Sequence, residues 1–133
     1  LTLASRCKSV MGVEIIPAAI EDAKENAARN GIENARFLCA DAGQAATKLA
    51  EEGFRPQVIV VDPPRKGLDE AAVKALCDMA PDRIVYVSCD CASLARDAKM
   101  LFEQGGYRPT KVQAFDMFPR TANIETVALL ERI

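Results

Sequence analysis

The chain has 133 residues, the size of one domain, with half of them apolar and 27% charged. Seventeen basic residues face nineteen acidic ones, for a formal charge of −2. That balance excludes a disordered chain, and a pI near 5.2 argues against tight nucleic-acid binding by the domain as a whole. No apolar run reaches the ~20 residues of a membrane span, and Leu1–Val10 lacks the basic start and apolar core of a signal peptide. The five cysteines, Cys7, Cys39, Cys77, Cys89 and Cys91, are odd in number and not spaced as a disulfide framework. They read as reduced thiols, and a cytoplasmic location is expected. Histidine is absent, which excludes a Ser-His-Asp site within this chain.

In chain order, the first run of strand length is Val10–Val13. Pro17–Asn30 then reads as a helix, with Pro in its first turn and Gly31 as its stop. Ile20, Ala23 and Ala27 mark its buried stripe, and Glu25 with Arg29 makes an i,i+4 pair on the wet side. Next come a strand at Arg36–Cys39, a helix at Ala42–Glu52 ended by Gly53, and a strand at Gln57–Val61. A helix at Asp69–Met79 stops at Pro81, a strand follows at Arg83–Val87, and a helix at Ser93–Gln104 stops at Gly105-Gly106. The unbroken runs Val58–Val61 and Ile84–Val87 suit strands covered on both faces, as in a parallel sheet. The last strands, Lys111–Phe115 and Thr126–Leu130, have no helical pattern between them and should pair antiparallel through the Phe118–Thr121 turn. This order predicts a doubly wound α/β domain with helices on both faces of the sheet.

Ligands of open α/β sheets bind beyond the carboxyl ends of the strands, so the residues that follow each strand matter most. Glu14 fits a ribose diol, and equally a solvated strand-end carboxylate. Asp41 either receives an adenine amino group or caps the next helix. In Asp62-Pro63-Pro64-Arg65 two prolines stiffen an extended turn that can present its acid and carbonyls to a planar ring, and Arg65 with Lys66 can meet a phosphate. Cys89 is the best nucleophile, after a buried strand and just before a helix whose N-terminus favours a thiolate. Cys7, Cys39 and Cys77 read as packing. Glu125, an acid entering the last strand, is the candidate base. The Gly-rich loop of a dinucleotide-type site lies roughly 20 residues before the ribose acid, which from Glu14 falls before Leu1. Leu1–Ser5 would then end the first helix.

These residues, in this order, resemble the methyltransferase domain of the RNA 5-methyluridine (uracil-C5) methyltransferases. Val60–Gly67 resembles their Asp-Pro-Pro-Arg motif, Val87–Asp97 their nucleophile segment, and Asp116–Glu125 their closing motif with the base. Asp90-Cys91 stands where the family usually has Asn-Pro, and Arg120 and Asn123 stand where it usually has His. The resemblance implies a Rossmann-like, S-adenosylmethionine-dependent enzyme acting on RNA, with 23S ribosomal RNA preferred and tRNA the alternative. Cys89 would attack uracil C6, Glu125 would take the C5 proton, and Asp62, Pro63 and Arg65 would lie beside base and cofactor. Glu14 and Asp41 would hold the ribose and adenine. It further implies that N-terminal RNA-binding and central domains, the first strand and the Gly-rich loop all lie outside this chain. In the family's fold that first strand lies between Val10–Val13 and Gln57–Val61. The fragment is therefore expected to bind cofactor weakly, and either to self-associate or to pair those two strands directly. An amino-group methyltransferase is the rival enzyme, opposed by Arg65 and Cys89. A module that binds a partner and catalyses nothing is the rival from another class.

Overall fold

A computed structural model describes residues 1–133, in which the apolar runs and capped helical stretches become six strands and four α-helices. They are β1 (Val10–Glu14), α1 (Pro17–Arg29), β2 (Ala35–Cys39), α2 (Ala42–Glu51), β3 (Val58–Val61), α3 (Glu70–Met79), β4 (Arg83–Ser88), α4 (Cys91–Gly105), β5 (Tyr107–Phe115) and β6 (Glu125–Arg132). Only the ends depart from the expected spans. The first residues form a 3₁₀ turn at Ala4–Arg6 rather than the end of an α-helix. No helix is long and apolar enough to cross a membrane. The chain divides into two compact units, Leu1–Ala45 and Ala46–Ile133.

In the first unit β1 and β2 run parallel, with Glu14 opposite Cys39. Pro17 opens α1, where its missing N–H leaves no hydrogen bond unmade. The helix ends in a Schellman closure: Gly31 has φ +63, its N–H donates to Ala28 O (3.1 Å), and the Ile32 N–H donates to Ala27 O (2.9 Å). Ile20 and Ala27 are buried, and Arg29 donates to Glu25 at 3.2 Å, as the periodicity requires. The Asn34 amide donates to Ala4 O (2.8 Å) and Cys7 O (2.9 Å), tying the N-terminal turn to the entry of β2. Cys7 and Cys39 are exposed, which corrects their reading as packing; Cys7 follows the 3₁₀ turn and Cys39 ends β2.

The second unit carries a four-stranded sheet in the order β3-β4-β6-β5. β3 and β4 are parallel, and β4–β6 and β6–β5 are antiparallel, the last pair as expected. Alternation along β4 sends Ile84 and Tyr86 into the core with Leu130 and Ala128 of β6, Val73 and Leu76 of α3, and Leu94 and Leu101 of α4. Tyr107 is fully buried and satisfies its hydroxyl by donating to Pro81 O (2.7 Å). β3 corrects the expectation of two covered faces. Ile59 and Val61 pack on the core, whereas Val58 and Val60, on the alternate face, are 47% and 48% exposed. An unbroken apolar run carries no period and so cannot say that one face stays open.

Asp69 caps α3 by accepting the Ala72 N–H at 2.8 Å. Asp69→Ala is expected to lower the unfolding free energy by about 1 kcal/mol, read from the urea midpoint at unchanged slope.

Candidate functional site

Within the first unit, two carboxylates stand at the carboxyl ends of neighbouring parallel strands. Glu14 is the last residue of β1, rather than the first after it, and its Oε1 accepts the N–H groups of Ile15 (2.7 Å) and Ile16 (3.0 Å). These bonds fold the carboxylate back over the strand-to-helix turn and fix its direction. Asp41 lies two residues beyond β2 and accepts the Gln44 N–H at 2.8 Å, so it caps α2. Of the two roles open to Asp41, this bond satisfies the capping one and occupies only Oδ1.

Within the second unit, three chain segments meet at the carboxyl ends of β3 and β4. Asp62-Pro63-Pro64-Arg65 leaves β3 with Asp62 and Arg65 exposed, and closes as a turn in which the Gly67 N–H donates to Pro64 O (2.7 Å). Ser88 ends β4 opposite Thr126, so Cys89 follows the strand end beside which Glu125 enters β6. Glu125 is itself held in the ladder opposite Phe115 and is half-buried. Nucleophile and base candidates, far apart in sequence, therefore stand at one strand end. Arg65 Nη2 lies 3.5 Å from Asn123 Oδ1, a long contact that links the proline turn to the segment before Glu125. In that segment Thr121 N–H donates to Phe118 O (3.1 Å) around Arg120, whose φ is +70. That is the expected turn, with a left-handed residue that favours Gly occupied by Arg120.

The Cys89 loop is held by hydroxyl and carboxylate groups that residue type alone did not single out. The buried Ser88 hydroxyl donates to Asp90 O (2.8 Å) and accepts the Asp90 N–H (3.1 Å), bracketing Cys89 between them. Asp90 then caps α4 by accepting the Ser93 N–H at 2.8 Å, so the helix starts two residues earlier than expected. Cys89 is half-buried just outside this cap, and Cys91, the first helical residue, lies 3.5 Å from Thr126 Oγ1. The Ser93 hydroxyl donates to Arg65 O (2.5 Å), which joins the first turn of α4 to the proline turn. Arg96 and Asp97 extend that junction to Lys66 and Leu68. Their hydrogen bonds cross from helix to loop, and nothing in the local pattern of α4 points to them.

The backbone and side-chain bonds from Ser93 hold the Asp90 carboxyl below its ordinary value, with Arg65 contributing further. A depressed carboxylate pKa means that the cap is fully present above the unfolded value and is lost as pH falls through the folded value. The Ser93 amide proton is therefore expected to titrate with a midpoint below that of an ordinary aspartate, and Asp90→Asn to abolish that titration, as measured by NMR.

A family profile described as tRNA (Uracil-5-)-methyltransferase matches residues 1–133. The chain belongs to this family. Similar members include an uncharacterized RNA methyltransferase of Halalkalibacterium halodurans, 54% identical over 131 residues, which are 98% of this chain and 28% of that protein. Another from Bacillus cereus is 52% identical over 133 residues, 100% of this chain and 29% of that protein. The chain thus spans less than a third of the length of these relatives. The solved structure of Pyrococcus abyssi tRNA (uracil-54, C5)-methyltransferase, in complex with S-adenosyl-L-homocysteine, superposes with a TM-score of 0.81 at 41% identity, over 96% of this chain and 30% of that one. An rRNA methylase of Streptococcus thermophilus superposes with a TM-score of 0.71 at 13% identity, over 98% and 77%, and shows the shared fold. This chain shares its Rossmann-like α/β fold with both solved structures.

Proposed function

We propose that this chain is the catalytic part of a longer enzyme that methylates C5 of a uridine in RNA through a covalent adduct on Cys89. The observation that supports the reading is the β4–β6 register, in which Ser88, just before Cys89, pairs with Thr126, just after Glu125, at the strand end beside the Asp62 turn. Uracil C5 is a weak nucleophile. Addition of the Cys89 thiolate to C6 forms an S–C6 bond and moves the C5=C6 electrons into an enolate, which makes C5 nucleophilic. Once C5 bears both methyl and proton, the Glu125 carboxylate takes the proton, the S–C6 bond breaks and the ring double bond returns. The target base must leave its stack to reach the thiol.

S-adenosylmethionine supplies an electrophilic methyl group when bound. In this reading Glu14 of the first unit, its carboxylate fixed by the Ile15 and Ile16 N–H groups, would accept the ribose hydroxyls and Asp41 the adenine amino group, while Asp62 with Pro63 of the second unit is assigned to the methyl-bearing side. Arg65 is assigned to an RNA phosphate. In the longer protein, RNA-binding and central domains precede this part. The preferred RNA is 23S ribosomal RNA. The 41% identity to a tRNA (uracil-54, C5)-methyltransferase supports tRNA as the second reading.

Tritium release from RNA labelled at uridine C5 tests the function, because only substitution at C5 expels that hydrogen. Release from ribosomal RNA transcripts in proportion to methyl transfer is expected of the longer protein. Release from tRNA alone selects the second reading, and methyl transfer without release overturns both.

A further inference from the structure

Asp97 is a wholly buried carboxylate that the proposed chemistry does not use. Its Oδ2 accepts the Tyr86 hydroxyl (2.5 Å) and the Leu68 N–H (2.7 Å), and its Oδ1 accepts Arg96 Nη2 (2.6 Å) and Nε (2.9 Å). Arg96 Nη2 also donates to Lys66 O (2.6 Å) and Leu68 O (3.3 Å). Burial, together with the Asp97 bond, pushes the Tyr86 phenol up. An ion pair that holds a buried carboxylate by a half-exposed guanidinium is weak support for stability compared with an apolar replacement, so its effect must be sought in the conformation it selects. That conformation is the turn from Asp62 to Gly67. Gly67 is buried with φ +78, and a Cβ there would collide with the Asp97 carboxylate and the Arg96 guanidinium. Loop backbone and charge cluster are thus built in direct contact.

We propose that Asp97, through Arg96, is a positioning residue that clamps the Asp62–Gly67 turn and acts on methyl transfer through Asp62. This rests on the proposed function. The pair reaches the loop from α4, the helix whose cap holds the Cys89 loop, so one rigid element sets both the acid and the thiol.

The test is a double-mutant cycle of Arg96→Ala and Asp62→Ala in the longer protein that carries this chain. The Arg96 side chain is half-exposed, so this variant folds more readily than a change at Asp97. Arg96→Ala is expected to lower kcat about tenfold to a hundredfold, with KM for S-adenosylmethionine within about twofold of wild type. In the Asp62→Ala background it should cost no more than about twofold further, because both act through the same turn. Hydrogen exchange at Gly67 and Leu68 should quicken while the β4 amides stay protected. Fully multiplicative losses, or unchanged exchange at Gly67 and Leu68, overturn the proposal. Capture of 5-fluorouridine RNA by the wild-type protein separates the two readings. With capture intact, multiplicative losses overturn only the clamp; without capture, the proposed function falls, and the clamp's catalytic role falls with it.

Discussion

Cys89→Ala, in the longer protein that carries this chain, is expected to form no covalent complex with 5-fluorouridine RNA and to lose turnover by on the order of 10⁴-fold, about 5 kcal/mol of barrier. The methyl side chain cannot add to C6, so C5 never becomes nucleophilic. Glu125→Gln is expected to fail at the other end of the cycle. The amide cannot take the C5 proton, so methyl transfer proceeds once and the enzyme stalls as a methylated adduct. Denaturing electrophoresis with labelled RNA reads both outcomes. The two variants differ although both residues lie at the same end of the β4–β6 pair, because one makes a bond and the other only releases it. Near-normal turnover by Cys89→Ala would remove the thiol from the mechanism.

Gly67→Ala is expected to destabilise the fold by about 3 kcal/mol and to depress methyl transfer with it. Two costs add at this position. The backbone is left-handed at φ +78, and the new methyl meets the Asp97 and Arg96 side chains, which cannot withdraw without unpairing a buried carboxylate. Gly53 provides the comparison. It has φ +72 but open space around a Cβ, so Gly53→Ala should cost only about 1 kcal/mol. Thermal melts of the two variants, with hydrogen exchange at Leu68, separate backbone strain from the side-chain collision. Equal melting shifts would mean that the loop and the charge cluster are not packed as described.

Much of the molecule was legible in the residues because its causes are local. Pro17 and Gly31 delimit α1, Asp69 caps α3, and the Glu25–Arg29 pair follows from helical spacing. The acids Glu14 and Asp62 and the thiol Cys89 stand out in the sequence because open α/β folds expose the residues at and after strand ends. Asp41 shows where such reading stops, since an acid after a strand and an acid before a helix are the same residue, and only the bond to the Gln44 N–H shows that it caps α2. The exposed faces of Val58 and Val60 escaped for a related reason: composition records that a strand is apolar, not what covers each side.

Sequence alone thus determined the alternation of strands and helices, the family motifs and the types of group available for chemistry. Tertiary structure decided the partnerships. It set Glu125 at the end of the strand that precedes Cys89, through an antiparallel register that no local propensity encodes. It also sank Asp97 into the core beneath the Asp62 turn, where Tyr86, Leu68 and Arg96 converge on it. Charged residues on a helix read as solvated until packing shows otherwise. Which of them is buried depends on how helix, strand and loop close around it, a non-local outcome that periodicity does not carry.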